Sequence, residues 1–420
     1  MNILILTNIE LDERNASGNT FANWLTGWSD TYISNIYSRN RPPKNKFCDE
    51  YYSVSPFDII RYILTPWKIG RRFKSGEKID GDEGFKEQGL IDNVKEKKVE
   101  IIYLLNDLLN SSRMWQNNKY KNFIKEINPD IIFYFAKADA FIYENIKYIK
   151  RHTKAKAIAF IADDMYTTYA MGKSLRRKIE KRRFVKMLKL ADKSYGASNM
   201  LCDIYSHQFG LCIEPLYKGC TFAPVRDLVN QPLKIVYAGN LYWGRDLSLG
   251  YVARALQKIN TNECKAFLEI YTTSKITRER DQLLNISGSS RVMGPRPFDE
   301  IEKILQKADI VLHVESFDDE NIKTVKLSFS TKIIDCLQSG AMMLVVGPKG
   351  IASVEQARAI DGTLVVDDVN DIEGQLNVLV NNPSLIIDRA NRIRNFAESN
   401  YRIDSVRTNL YQTFKRLIEK

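Results

Sequence analysis

Short runs of Ile, Val, Phe and Tyr recur along this chain, separated by longer segments of helical period, and that alternation constrains the fold more than any other feature. A run apolar at every position suits a strand covered on both faces, as strands of parallel sheets are. In the first half the runs fall at 2–7, 50–54, 130–135, 157–161 and 194–197. In the second half they fall at 233–238, 266–271, 291–293, 309–314, 341–346 and 363–366. The pattern predicts repeated βαβ units and an α/β fold of two doubly wound, Rossmann-like domains. Residues 214–225, carrying Pro215, Gly219 and Pro224, read as the linker, so the domains are expected at about 1–217 and 218–400.

The length of 420 residues supplies two cores, and 44% hydrophobic content excludes a disordered chain. The charge balance, 62 Lys+Arg against 51 Asp+Glu for a net +11, suits anionic partners: sugar nucleotides, lipid phosphates or nucleic acid. Six cysteines without a C-x-x-C pair, and three histidines, argue for reduced thiols near apolar cores and against a zinc site or disulfide frame. No apolar run approaches the ~18–20 residues needed to cross a bilayer, and the opening run lacks the length and basic flank of a signal peptide. The expected location is the cytoplasm. Residues 68–98, rich in charge and glycine, read as a solvated insertion. Residues 173–193 read as an amphipathic basic helix, either a plain surface helix or a contact for an anionic membrane face.

Chemistry concentrates in Phe329-Ser330-Thr331-Lys332-Ile333-Ile334-Asp335-Cys336-Leu337-Gln338-Ser339-Gly340. Ser330 or Thr331 suits an N-cap and Gly340 a C-terminal stop, which delimits a short helix. Lys332 in its first turn opposes the helix dipole, at a cost of up to ~1 kcal/mol unless an anion sits there. Lys332 is therefore expected at a phosphate, with Asp335 one turn on to accept from ribose hydroxyls. Earlier, Gly239 and Asn240 end an apolar run where backbone meets ligand, and Arg245 offers a fork of donors to a diphosphate. In 298–308 the apolar positions Phe298, Ile301, Ile304, Leu305 and Ala308 read as a core stripe.

The segment 330–340 resembles the S-K-x-x-E-Y-L-x-x-G donor helix of B-type (GT-B) glycosyltransferases, specifically family 4-like enzymes, with Asp335 where glutamate is usual. Ile235-Val236-Tyr237-Ala238-Gly239-Asn240 with Arg245 resembles the first strand and glycine turn of their donor domain. Gly294–Ile301 and Ala308–Leu312 are similar to the loop, helix and strand ahead of the donor helix. Asn15-Ala16-Ser17-Gly18-Asn19-Thr20 resembles the family's glycine loop at the cleft, which implies substrate contacts at Gly18 and Asn19. Residues 194–219 resemble the last acceptor-domain strand and hinge, and 403–418 the closing helix that crosses back to the first domain, here 401–420. The resemblance implies two lobes facing a cleft and transfer of a sugar from a nucleotide-sugar donor to a saccharide or polyprenol-linked acceptor. It implies no metal and no cofactor, and a setting in surface polysaccharide assembly at the inner membrane face.

Two positions depart from the family pattern. Retaining members carry E-x7-E, but Leu327 stands eight residues before Asp335; Glu315, at the end of the 309–314 run, is a candidate substitute, although it lies twenty residues before Asp335. Asp163 and Asp164, at the end of the 157–161 run, supply a base for an inverting reaction or a loop cap. His313 reads as a bonded core histidine, and Trp24 and Trp28 as core. Asp80-Gly81-Asp82 has the D-x-D spacing of A-type metal sites without a strand to position it. Two alternatives remain on sequence alone: a nucleotide-sugar epimerase of the same fold, and a non-catalytic basic module for membrane or nucleic acid. No RNA-binding aromatic motif or helix-turn-helix accompanies the charge.

Overall fold

A computed structural model describes residues 1–13, 15–77, 100–167 and 174–419. Two parallel sheets carry the chain. The first has eight strands: β1 (Asn2–Thr7), β2 (Tyr32–Tyr37), β3 (Glu50–Ser53), β4 (Arg71–Lys74), β5 (Ile131–Phe135), β6 (Lys156–Ile161), β7 (Lys193–Gly196) and β8 (Ile213–Pro215), ordered 4-3-2-1-5-6-7-8. Only the β3–β4 pairing is antiparallel. Its described helices are α1 (Ala16–Leu25), α2 (Pro56–Arg61), α3 (Glu100–Ser111), α4 (Asn118–Ile127), α5 (Ala140–His152), α6 (Leu175–Leu190) and α7 (Asn199–Phe209). The second sheet has six strands: β9 (Leu233–Ala238), β10 (Ala266–Tyr271), β11 (Ser290–Gly294), β12 (Ile310–Val314), β13 (Met342–Val346) and β14 (Leu364–Val366), ordered 11-10-9-12-13-14. With it go α8 (Arg245–Ile259), α9 (Arg278–Leu284), α10 (Phe298–Gln306), α11 (Asp319–Val325), α12 (Lys332–Gln338), α13 (Ala352–Arg358), α14 (Ile372–Asn381), α15 (Pro383–Tyr401) and α16 (Ile403–Glu419).

Alternation along β1 divides the first lobe's core. Leu4 and Leu6 join the apolar layer on one face of the sheet, and Ile3 and Ile5 the layer on the other. The second lobe buries Ile235, Val311 and Leu344 in a single cluster with its helices. Strand order reverses between β1 and β5 and between β9 and β12, and the crevice beyond the strand ends at such a reversal is where open α/β sheets take ligands. The helix α16 returns to the first lobe as expected. Its Leu410 and Phe414 are buried with Phe21 and Phe133, Phe414 meets Trp28 edge-on at 5.4 Å, and Arg407 Nε donates to the Asn23 carbonyl at 2.7 Å.

Several expectations need correction. Residues 68–77 are not all solvated loop, since Arg71–Lys74 pairs with β3 as an edge strand; Asp80-Gly81-Asp82 lies outside the described residues. The linker begins as strand, with β8 running to Pro215, and Cys220 then bridges to Arg402. Strand β2 escaped notice in the sequence. The basic helix α6 turns Arg177 and Arg183 inward: Arg177 Nη2 donates to the Met165 carbonyl at 2.5 Å and Arg183 pairs with Asp107. Cys48, Cys202, Cys220 and Cys336 are buried free thiols, while Cys212 and Cys264 are exposed ones. No helix among the described residues is long and apolar enough to cross a membrane.

Candidate functional site

At the β9–β12 reversal, Lys332 extends from the first position of α12 over the end of β9. Its ammonium lies 5.6 Å from the centre of the Tyr237 ring and finds no hydrogen-bond partner among the described residues. A Cβ on Gly239 would stand 2.0 Å from Lys332 Nζ, so the lysine as placed lies directly over the glycine backbone, and a larger residue there would have to displace the ammonium. The Tyr237 hydroxyl is already committed, donating to the Asn240 carbonyl at 2.5 Å. Burial, then the Arg245 charge, lowers the Lys332 pKa to about 8, against the pull of Asp335 and Glu315. A buried, unpaired ammonium is costly to hold, so the geometry invites an anion.

The ammonium sits in a cavity of about 410 Å³ with Gly239, Asn240, Arg296, Phe298 and Asp335 on its walls. Phe298 is 68% exposed at this rim, a correction to the core stripe, because α10 starts there and its first turn projects past the packing face. Burial raises the Asp335 pKa while Lys218 and then Lys332 draw it down. Thr331 precedes α12 without a side-chain cap bond, and the Ser330 N–H donates to Ser353 Oγ at 2.8 Å, so neither residue caps the helix as expected.

Arg245 opens α8 behind Gly244, whose φ of +70° suits glycine. Its guanidinium is held by Glu315: Nε donates to Oε2 at 3.2 Å, and Nη2 to Oε1 and Oε2 at 3.1 and 3.0 Å. A further Nη1 bond of 2.9 Å reaches Asn240 Oδ1. Glu315 is 1% exposed and also meets His313 Nε2 at 3.1 Å, which makes the histidine the bonded core residue expected. Burial pushes the Glu315 carboxyl up, but His313 and then Arg245 outweigh it and the pKa falls.

No protein-family model matches the chain, and no curated protein sequence does. Solved structures do match. Sucrose-phosphate synthase from Thermosynechococcus elongatus superposes with a TM-score of 0.65 at 10% identity over 100% of both chains. HepE from Anabaena, in complex with UDP, gives 0.62 at 9% identity over 99% of this chain and 100% of its own. A glycosyltransferase from Rickettsia africae gives 0.61 at 12% identity over 100% and 99%. This chain has the GT-B fold.

A cleft separates the two lobes beside the pocket. The hinge residue Lys218 crosses it: Nζ donates to Asn19 Oδ1 on α1, and burial lowers its pKa while Asp335 opposes the shift. Sequence reading placed Lys218 in the hinge and missed this link, which joins residues 199 positions apart. Gly18 lies inside α1, not in a loop; a Cβ there would meet the Asp12 carbonyl oxygen at 2.2 Å, so packing explains the glycine. Asp164 is spent on structure. Its carboxylate accepts from the Tyr166 and Thr167 N–H groups at 3.0 and 2.7 Å, the Tyr205 hydroxyl at 2.5 Å and the Thr167 hydroxyl. Asp163 beside it is exposed.

Proposed function

We propose that this chain is a glycosyltransferase that moves a sugar from a nucleoside-diphosphate sugar to an acceptor hydroxyl. Residues 218–400 hold the donor, 1–217 hold the acceptor, and 401–420 strap the two lobes together. The observation that carries the reading is the partnerless ammonium of Lys332, seated on Gly239 in a cavity large enough for a nucleotide. UDP in the HepE structure supports the same class of donor.

Cleaving the glycosidic bond leaves negative charge on the departing diphosphate while the sugar becomes oxocarbenium-like. Lys332 would meet that charge directly, and one such fixed group is typically worth a few kcal/mol of barrier. Arg245, oriented by Glu315 and Asn240, stands at the same strand ends to meet the diphosphate. Asp335 faces the ribose hydroxyls, and Phe298 offers its ring to the base. With Asp164 engaged, Asp163 is the carboxylate left to take the acceptor proton. A saccharide or polyprenol-linked saccharide is the acceptor class proposed.

A thermal-shift panel of nucleoside diphosphates and their sugars tests this reading. One of them should stabilise the wild-type chain by about 2.7 kcal/mol at a hundredfold excess over its dissociation constant, and Lys332→Ala should abolish the shift. If no compound raises the melting temperature of the wild type, the reading fails.

A further inference from the structure

Two exposed aromatic rings stand at the strand ends of the second lobe and take no part in the donor pocket. Tyr242 and Trp243 lie in the segment joining β9 to α8, and they are 58% and 48% exposed. The cavity around the Lys332 ammonium is walled by Phe298 and by neither of these rings. Among the described residues no other aromatic ring or cation packs on them, and neither the Tyr242 hydroxyl nor Trp243 Nε1 has a hydrogen-bond partner.

The backbone beneath them is fixed and strained. Trp243 has a φ of +60° and Gly244 of +70°, and the Arg245 N–H donates to the Tyr242 carbonyl at 3.4 Å to close the turn. Asn-Gly adopts two successive left-handed residues readily, whereas a bulky side chain at the first of them is an outlier. Leu241 anchors one end of the turn: it is fully buried, and its N–H donates to Ser274 Oγ at 2.9 Å. Asn240 Oδ1 accepts from the Tyr242 N–H at 3.3 Å and from Arg245 Nη1 at 2.9 Å. At the other end a Cβ on Gly244 would meet Ser316 Oγ at 2.5 Å, so the turn lies close against the segment after β12. This packing does not call for an indole that stands about half in water. Strain held at a ligand crevice without a matching gain in packing points to function.

We infer that Tyr242 and Trp243 form a stacking platform for a sugar ring of the acceptor, an inference that rests on the glycosyl-transfer reading given above. The place argues for this occupant. Arg245, which closes the same turn, is the group assigned to the diphosphate, so a ring laid on Trp243 is near the bond that the transfer breaks. The chemistry agrees. One face of a pyranose is a layer of C–H groups, which the electron-rich face of an indole or phenol attracts, while the hydroxyls around it reach water, Trp243 Nε1 and the Tyr242 hydroxyl. A nucleotide base is the other planar partner an indole takes, and Phe298 lies on the cavity wall to receive it where these rings do not. The second lobe then contacts both substrates, and the first lobe holds the remainder of the acceptor.

Intrinsic fluorescence of the full chain tests the platform, titrated without nucleotide with α- and β-linked disaccharides of glucose, galactose, mannose and N-acetylglucosamine. At least one of them should change the tryptophan emission saturably. Trp243→Phe should remove that optical change yet keep the affinity within about three-fold in calorimetry, because an aromatic face remains. Trp243→Asn should weaken it at least about ten-fold, and should melt no lower than the wild type because asparagine accepts a φ near +60°. UDP, which reports on the donor pocket, should raise the melting temperature of the wild type and of Trp243→Asn alike. The two failures read differently. A chain that UDP leaves unshifted loses the donor reading and the platform with it, whereas a chain that UDP shifts and every disaccharide ignores loses the platform alone. Equal disaccharide affinity in Trp243→Asn, or a melt of that variant well below the wild type, would also overturn the inference. So would a dimer in sedimentation velocity that Leu247→Asp dissolves, since Leu247 is exposed on α8 beside the rings and would then mark a contact between copies.

Discussion

Lys332 is the residue where stability and function pull apart. Holding its ammonium buried at neutral pH costs on the order of 3 kcal/mol, since its pKa falls from 10.5 to about 8. Between about pH 8 and 10.5 the unfolded chain keeps a proton that the folded chain has lost, so this residue's share of stability climbs across that window. Lys332→Met removes the cost: the ligand-free variant should be about 1–3 kcal/mol more stable at neutral pH in chemical denaturation, and should lose its affinity for a nucleoside diphosphate. If Lys332 meets the phosphate as proposed, calorimetry on the wild type should show that affinity weakening as pH rises through about 8, where the lysine becomes neutral. Stability unchanged in the Met variant, or affinity flat across this range, contradicts the placement. Glu315 behaves in the opposite sense. Its folded pKa lies below the ordinary 4.5, so its contribution is complete above that value and fades as the pH falls through the folded pKa. Glu315→Ala strands the Arg245 guanidinium in a buried site and should cost about 3–5 kcal/mol in urea denaturation; a loss below about 1 kcal/mol would mean the pair is dispensable.

Among the elements, the second sheet was legible because helices cover both of its faces, which makes β13 an unbroken apolar run and leaves β9 and β12 with one polar residue each, Lys234 and His313. Strand β2 escaped for a specific reason. Ser34 and Asn35 interrupt it, and Asn35 is tolerated at zero exposure only because its amide donates to the Ile5 carbonyl and to Thr7 Oγ1, both at 3.0 Å. Strand β4, Arg71–Lys74, is basic at three of its four positions at the sheet edge and so resembles a loop in composition. The site followed the same rule. Lys332 and Asp335 were picked out through the dipole argument and helical spacing and Gly239 through glycine's special place, and the structure brings the three to one cavity. The Arg245–Glu315 pair spans 70 positions and has no local pattern, and Phe298 was misread because a helical stripe does not say where the helix overhangs its neighbours. The closing helix α16 was legible from its period, and among the side chains that strap it to the first lobe, Leu410 and Arg407 included, Phe414 is the largest one fully buried. Phe414 is fully buried and meets Trp28 and Phe133 edge-on at 5.4 and 5.5 Å. Phe414→Ala should destabilise the first lobe by about 3–5 kcal/mol in denaturant titrations, whereas a strap that only rests on the surface would give less than about 1 kcal/mol.

At the scale of the whole molecule, the pocket and the cleft make different demands. Every wall of the Lys332 cavity comes from the second lobe, so the donor binding proposed there would require only that lobe to be folded. The proposed transfer also requires the first lobe at a set angle, which α7 against α13, Leu327 in the first lobe's core, the strap α16 and a set of hinge bonds together define. Asn23 on α1 makes a reciprocal pair with the hinge, donating to the Gly219 carbonyl and accepting from its N–H, both at 2.8 Å. Trp24 Nε1 adds a bond of 3.0 Å to the Tyr217 carbonyl, and Lys218 reaches Asn19 beside them. The hinge packs closely on the start of α16, where a Cβ added to Gly219 would come within 2.4 Å of the Ile403 backbone. Asn23→Ala deletes both bonds of the reciprocal pair, each worth about 0.5–1.5 kcal/mol, and lets the lobes sample wider angles. Turnover should therefore fall about ten-fold, the equivalent of about 1.4 kcal/mol, while the dissociation constant for the donor nucleotide stays within about two-fold of wild type. Small-angle scattering should show a larger radius of gyration in the variant. A loss of donor affinity as large as the loss of turnover would mean that the first lobe shapes the donor pocket itself, and the division of labour between the lobes would have to be redrawn.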